Sequence, residues 1–263
     1  MLFRVWLLGL FAFGSSIGGE GGRHEAPSYT SASIVNAATN LPGALAPNTI
    51  ASLYGVDLAY ITRAVSTDDI RAGIMPVLLP GTGVRVEIGG ALAHIYYVSP
   101  TQVNLLIPNT LRPGPAELQL TLDGRAGPAV KIQLVASAPA LFRLNERWIV
   151  ACRPDGSVIT EESPAHPNDM VVLYATGLGR TSPNPSSGEL PRQPALLERL
   201  SEFQVLLNEE PVNSDRIAYA GVAPGFAGLY QINLRMPGPS ANPEVRLKLG
   251  SETSPPGGLL PFR

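Results

Sequence analysis

Catalysis requires particular side chains at particular spacings, so the histidines come first. His94 and His166 are the two imidazoles beyond the leading segment, which holds His24. Either could join a Ser-His-Asp relay for acyl transfer. That chemistry also needs a nucleophile on a sharp turn, and no Gly-x-Ser-x-Gly elbow follows the leading segment. His94 stands between Ala93 and Ile95 in a strand-like run, and His166 sits in a turn bounded by Pro164 and Pro167. Zinc would require clustered Cys and His, whereas Cys152 is a single cysteine among scattered histidines. Calcium could draw on Asp68-Asp69, Asp155 or Glu161-Glu162. Without an Asp-x-Asp-x-Asp-Gly series these read better as solvated turn carboxylates. Gly81-Thr82-Gly83 lacks the further glycine and the following helix of a phosphate cradle. No metal, cofactor or catalytic residue is therefore expected, and the chain is not expected to be an enzyme. Cys152 cannot form an intrachain disulfide. It could pair between chains or react, but the plainer reading is a buried small hydrophobe.

Binding needs less. Gln102 and Asn104 share one strand face, as do Gln231 and Asn233, because residues two apart in a strand point the same way. They could hold a ligand. Their presence at matched positions in two copies favours a structural role, with the amides tying down neighbouring loop backbone. Exposed aromatics could stack on sugar rings, and Trp148 is the only tryptophan after the leading segment. Tyr96 and Tyr97 are adjacent, so in a strand they point to opposite faces and one of them can face solvent. Tyr96, Tyr97 and Trp148 are thus the candidate ligand-binding residues. Tyr54 and Tyr174 occupy repeat-matched positions and are expected as core or corner tyrosines.

The elements that would position these residues are strands. Gly and Pro number 27 and 26 among 263 residues, which disfavours long helices. Val84, Val86 and Ile88 alternate with Arg85 and Glu87, the period of a half-buried strand. Leu118, Leu120 and Leu122 do the same and end at Asp123-Gly124, a hairpin turn signal. Val245, Leu247 and Leu249 form a third alternating run, and Arg153-Pro154-Asp155-Gly156 predicts a further hairpin. Only the run 195–200 looks briefly helical.

The chain also repeats itself. The segment 48–59 aligns with 168–179 at an offset of 120, each preceded by Pro, and 102–108 aligns with 231–237 at an offset of 129. The second copy holds a Pro/Ser-rich insertion at 181–188. An all-β architecture of two tandem immunoglobulin-like β-sandwiches follows. The expected boundaries are a signal peptide over 1–19, a flexible lead-in over 20–32, a first sandwich over 33–135, a connector with a hairpin over 136–163 and a second sandwich over 164–263. Arg4 followed by the apolar run 5–13 and then small residues has the order of a secretory signal. An N-terminal anchor is the competing reading, but the run is shorter than the ~20 residues a span needs.

Charge excludes a class of partner. Lys plus Arg number 19 against 21 acidic residues, and no basic run exceeds two, so nucleic acid is set aside. The motifs Ile34-Val35-Asn36-Ala37-Ala38, Tyr97-Val98-Ser99-Pro100-Thr101-Gln102-Val103-Asn104, Leu173-Tyr174-Ala175-Thr176-Gly177-Leu178-Gly179 and 219–233 together resemble one family. It is the uncharacterised C-terminal domain family of secreted acidobacterial proteins, and each half also resembles IPT/TIG-type immunoglobulin-like domains. The resemblance implies that fold and an exported setting, and it transfers no catalytic residue. One departure is Asn168-Asp169, where a glycine is usual, which affects the local turn. The expectation is a secreted or cell-surface, non-catalytic, adhesion-like protein binding through loops and sheet edges. Its partner would be an extracellular protein, an envelope component or a polysaccharide, with no transmembrane helix in the mature chain. A carbohydrate-binding module and a secreted hydrolase are the alternatives.

Overall fold

The computed structural model describes residues 25–238 and 241–263. The expected signal peptide lies outside them, as does His24. Among the described residues the strand ladders are antiparallel and form four sheets, two to each half. The first half has a six-stranded sheet ordered Leu41–Pro42, Ile34–Asn36, Ile50–Tyr54, Gln102–Leu106, His94–Val98, Arg63–Ala64. Facing it are Val84–Ile88 and Gly114–Leu122 with their short neighbours. The second half builds its larger sheet on Met170–Thr176, Tyr230–Arg235 and Ile217–Val222, and its smaller one on Phe203–Leu207 and Val245–Leu249. These are two tandem immunoglobulin-like β-sandwiches.

Period-two patterning explains the cores. Val84, Val86 and Ile88 pair with Leu122, Leu120 and Leu118, and all six side chains are fully buried while Arg85 and Glu87 face water. A one-residue slip would turn this whole set outward, so burial fixes the register. The Asp123-Gly124 turn has φ of +47° and +79°, the positive values that a two-residue hairpin demands.

The duplication extends to pairing detail. Tyr54 lies opposite Gln102 as Tyr174 lies opposite Gln231, and Leu53 opposite Val103 as Leu173 opposite Ile232. Asn48 and Asn168 both adopt positive φ, +63° and +68°. Each donates its backbone N–H at 3.0 Å to an equivalent carbonyl, of Ile107 and of Met236. The turn at Asn168 thus needs no glycine, because asparagine tolerates the left-handed region.

Several expectations are corrected. The 195–200 run is a strand, Ala195–Leu197, followed by a 3-10 turn at Leu200–Glu202, because Ala195 and Leu196 pair with Val222 and Gly221. The lead-in is tied down from Ser28, which exchanges two backbone hydrogen bonds with Val56, while the buried Tyr29 hydroxyl accepts from Leu120 N–H. The connector is woven into the second sandwich: Ala140–Leu141 and Ala151–Cys152 both pair with Met170–Thr176. Within it the Arg153 N–H donates to Ser157 O at 2.8 Å.

Candidate functional site

The two sandwiches meet along a buried seam, and the candidate residues fall on or beside it. In a simple sandwich the outer face of each sheet meets water. Here Met170–Thr176 is buried on both faces after its first residue. Leu173 and Ala175 enter the second core, whereas Val172 and Tyr174 join a cluster continuous with Ile50 and Leu106 of the first half. Thr176 is fully buried and pins the seam. Its Oγ1 accepts Ile50 N–H at 2.9 Å and donates to Gly228 O at 2.8 Å. Gly228 leaves little room for a side chain, since its φ is +68° and a Cβ there would stand 2.7 Å from the Asn48 carbonyl oxygen.

The insertion of the second copy closes the seam from one side. Met75 N–H donates to Gly188 O at 2.9 Å, and Leu190 N–H donates to Gly73 O at 2.8 Å. Asn109 Nδ2 donates to Pro185 O at 2.6 Å. His94 sits beneath this clasp with its Nδ1 2.6 Å from Met75 O. A Cβ at Gly188 would lie 2.3 to 2.5 Å from the imidazole ring. Burial pushes the His94 imidazole below its usual range, against the opposing pull of the Met75 and Ser187 backbone groups. An imidazole enclosed in this way has no open approach for a substrate.

The aromatic platform does not form. Tyr96, Tyr97 and Trp148 are only 8%, 8% and 7% exposed. The strand alternation that should have sent one tyrosine to solvent is overridden by the seam, where the Tyr96 hydroxyl donates to Ala227 O of the second half. The strand is also irregular at this point, with a register shift between Ile95 and Tyr97. Trp148 lies in the connector, with the Arg147 guanidinium 4.4 Å over its ring and its backbone beside Leu259.

Tyr54 is half-buried and donates its hydroxyl to Asn40 Oδ1 at 3.1 Å, while burial raises the Tyr174 hydroxyl well above its ordinary range. Gln102 Nε2 donates to Asn104 Oδ1 at 2.8 Å, and Gln231 Nε2 to Asn233 Oδ1 at the same distance. The amides therefore bond each other along the strand, with Ser52 adding a hydroxyl to Asn104, and do not tie loop backbone.

Of the acidic and sulfur candidates, Asp68, Glu161 and Glu162 are exposed, whereas Asp69, Asp155 and Cys152 are engaged by the protein. Burial would raise the Asp69 carboxyl, but hydrogen bonds from Ser66 and the Arg63 guanidinium at 2.6 Å hold it below its ordinary value. This carboxylate is buried and paired rather than solvated. Asp155 accepts from Ser157 N–H within its turn. Among the described residues no three of His, Cys, Asp and Glu converge. His166 is exposed, with Nδ1 3.5 Å from Asp169 Oδ2. Cys152 is fully buried, and burial together with the Asp155 charge pushes its thiol up to about 11.

What remains open is the rim of the seam. On one side a groove of 690 Å³ runs between the Ala37–Leu41 turn and the loop 142–146, roofed by Pro255 and Pro256. A smaller recess of 240 Å³ shares Thr39, Leu41 and Pro255 with it and reaches Asn36 and Ser137. On the other side a cleft of 390 Å³ is bordered by Arg112, Arg180, Glu198 and Arg199. Sequence reasoning missed the seam and its grooves. The signal was the uninterrupted apolar run 170–175, because a strand covered on both faces loses its alternation.

No family model and no curated protein matches the chain. Among solved structures it is similar to SGBP-B of the Bacteroides ovatus mixed-linkage glucan utilization locus, in complex with a mixed-linkage heptasaccharide. That match has 14% identity and a TM-score of 0.30, covering 83% of this chain and 38% of that one. The adhesin InvE of Yersinia pseudotuberculosis matches at 14% identity and TM-score 0.24, over 89% of this chain and 59% of that one. The tandem Ig repeats of Dlar match at 11% and 0.21, over 91% and 95%. This chain therefore spans well under half the length of the first of these. Likenesses this distant carry no functional argument. No helix among the described residues is long and apolar enough to cross a membrane.

Proposed function

We propose that the chain is an exported, non-catalytic binding protein of adhesion-like character, whose two sandwiches act as one rigid body. We also read it as a member of the acidobacterial secreted-domain family that its motifs resemble. The supporting observation is the seam itself. It absorbs His94, Tyr96 and Thr176 into structural contacts and leaves loop-lined grooves at its rim. Pre-formed grooves between domains are where ligands commonly bind. Binding then makes and breaks no bond, and its free energy comes from complementarity on a surface that loses little freedom on association.

The test is a binding screen of the purified chain against polysaccharides, envelope fractions and extracellular proteins, run beside ester, peptide and glycoside turnover assays. Saturable binding without turnover supports the reading. Turnover abolished by His94→Ala or His166→Ala refutes it.

A further inference from the structure

The segment 183–190 of the insertion covers a buried imidazole while holding on lightly. Pro183, Asn184 and Ser186 face solvent, Gly188 has no side chain, and Leu190 packs partly buried against the first core. Across the seam, Gly188 O accepts Met75 N–H at 2.9 Å, Gly73 O accepts Leu190 N–H at 2.8 Å, and Pro185 O accepts Asn109 Nδ2 at 2.6 Å. The Ser187 hydroxyl is enclosed without a hydrogen-bond partner, which works against closure. The segment also belongs to none of the four sheets, so it can swing aside without unpairing a strand. Elements with so few buried apolar contacts open at less cost than the whole fold.

Beneath it the His94 residue is 7% exposed. Its Nδ1 lies 2.6 Å from Met75 O, so in the neutral ring this nitrogen carries the proton. The groups around the ring offer an imidazolium no free counter-charge. Its own strand brings Tyr96 and Tyr97, and the paired strand Gln102–Leu106 brings no ionisable side chain. The 73–76 segment brings none either, and 183–190 brings Glu189, whose Oε2 already accepts Ser186 N–H at 2.9 Å. The charges flanking these two segments, Arg71 and Arg192, are both positive and exposed. The Met75 and Ser187 backbone groups favour protonation, yet burial outweighs them and holds the imidazole below its ordinary value. A charge there costs far less once water reaches it.

We propose that 183–190 is an acid-released lid: protonation of His94 favours a state in which this segment lets go of the 73–75 edge while both sandwiches stay folded. The closed form binds fewer protons than the open one, so closure is fully present above the ordinary imidazole value of 6.5 and is lost as pH falls below it. With the open ring at 6.5 and the closed ring still neutral, the opening equilibrium rises by up to about 30-fold between pH 7.5 and 5.

Native-state amide exchange of the full chain tests this, followed by NMR and expressed as protection over the unfolded-chain rate at each pH. Met75 and Leu190 N–H report the lid, and the ladder amides of Val84–Ile88 and Met170–Thr176 report global unfolding. The two lid amides should be far less protected than the ladders at both pH values, and should lose up to about 30-fold from pH 7.5 to 5. His94→Asn should abolish that loss. Asn109→Ala keeps the imidazole and cuts the Pro185 link, so it should lower lid protection about three- to tenfold at both pH values and retain the slope. The proposal fails if the lid amides exchange only with the ladders, if the acid loss survives in His94→Asn, or if Asn109→Ala leaves them as protected as before. Protection that holds or rises on acidification also overturns it, since the closed pocket would then tolerate the imidazolium.

Discussion

Thr176→Val asks whether the seam is energetically real. Valine has the shape of threonine, so packing changes little, but the hydroxyl that joins the halves disappears. Two fully enclosed groups then lose their partner: Ile50 N–H at 2.9 Å and Gly228 O at 2.8 Å. Each orphan costs about 1–3 kcal/mol, and burial of the new methyl returns about 0.8 kcal/mol. The net loss is about 1–5 kcal/mol, or roughly 3–20 °C in melting temperature for a chain of this size. Thr176→Ser keeps both hydrogen bonds and loses one methyl, so it should cost only about 0.5–1.5 kcal/mol. Equilibrium urea unfolding followed by tryptophan fluorescence measures both variants, since Trp148 is buried in the folded chain. A valine variant within 0.5 kcal/mol of the parent, or a serine variant as damaged as the valine one, would show that the joint contributes nothing through this residue.

Three further outcomes follow from the clasp and the core. The folded state holds His94 with its pKa below the ordinary 6.5, so it binds fewer protons than the unfolded chain. Its contribution is then fully present above pH 6.5 and falls as pH drops, by at most about 1.4 kcal/mol per pH unit. Urea midpoints between pH 7.5 and 5 should show this slope, and His94→Asn should flatten it. Gly188→Ala places a methyl into the imidazole at a φ of +70°. It should cost about 2–4 kcal/mol and speed protease cleavage within 181–191, an effect absent if the clasp tolerates the methyl. Cys152 should ignore an aromatic disulfide reagent in native buffer and react fully in denaturant; rapid native labelling would contradict its enclosure.

Much of the fold was legible in the sequence because half-buried strands announce themselves. Val84-Arg85-Val86-Glu87-Ile88 alternates in sequence and in burial alike. The matched Gln-x-Asn pairs located the copies, and their amide bonds repeat at the same 2.8 Å. What could not be read is whatever depends on the second body. His94–Val98 is buried along its whole length, so alternation said nothing about which tyrosine would meet solvent. The apparently helical 195–200 run is held as strand by its partner Val222, a constraint more than twenty residues distant.

The clasp also bears on how the two copies could have diverged. Its reaching arm, 185–190, belongs to the second copy alone, while its receiving edge, 73–75, and its imidazole belong to the first. Ancestral twins have thereby acquired fixed and complementary identities. A side chain at 188 would run into the imidazole at 94, so these two positions constrain each other across the halves.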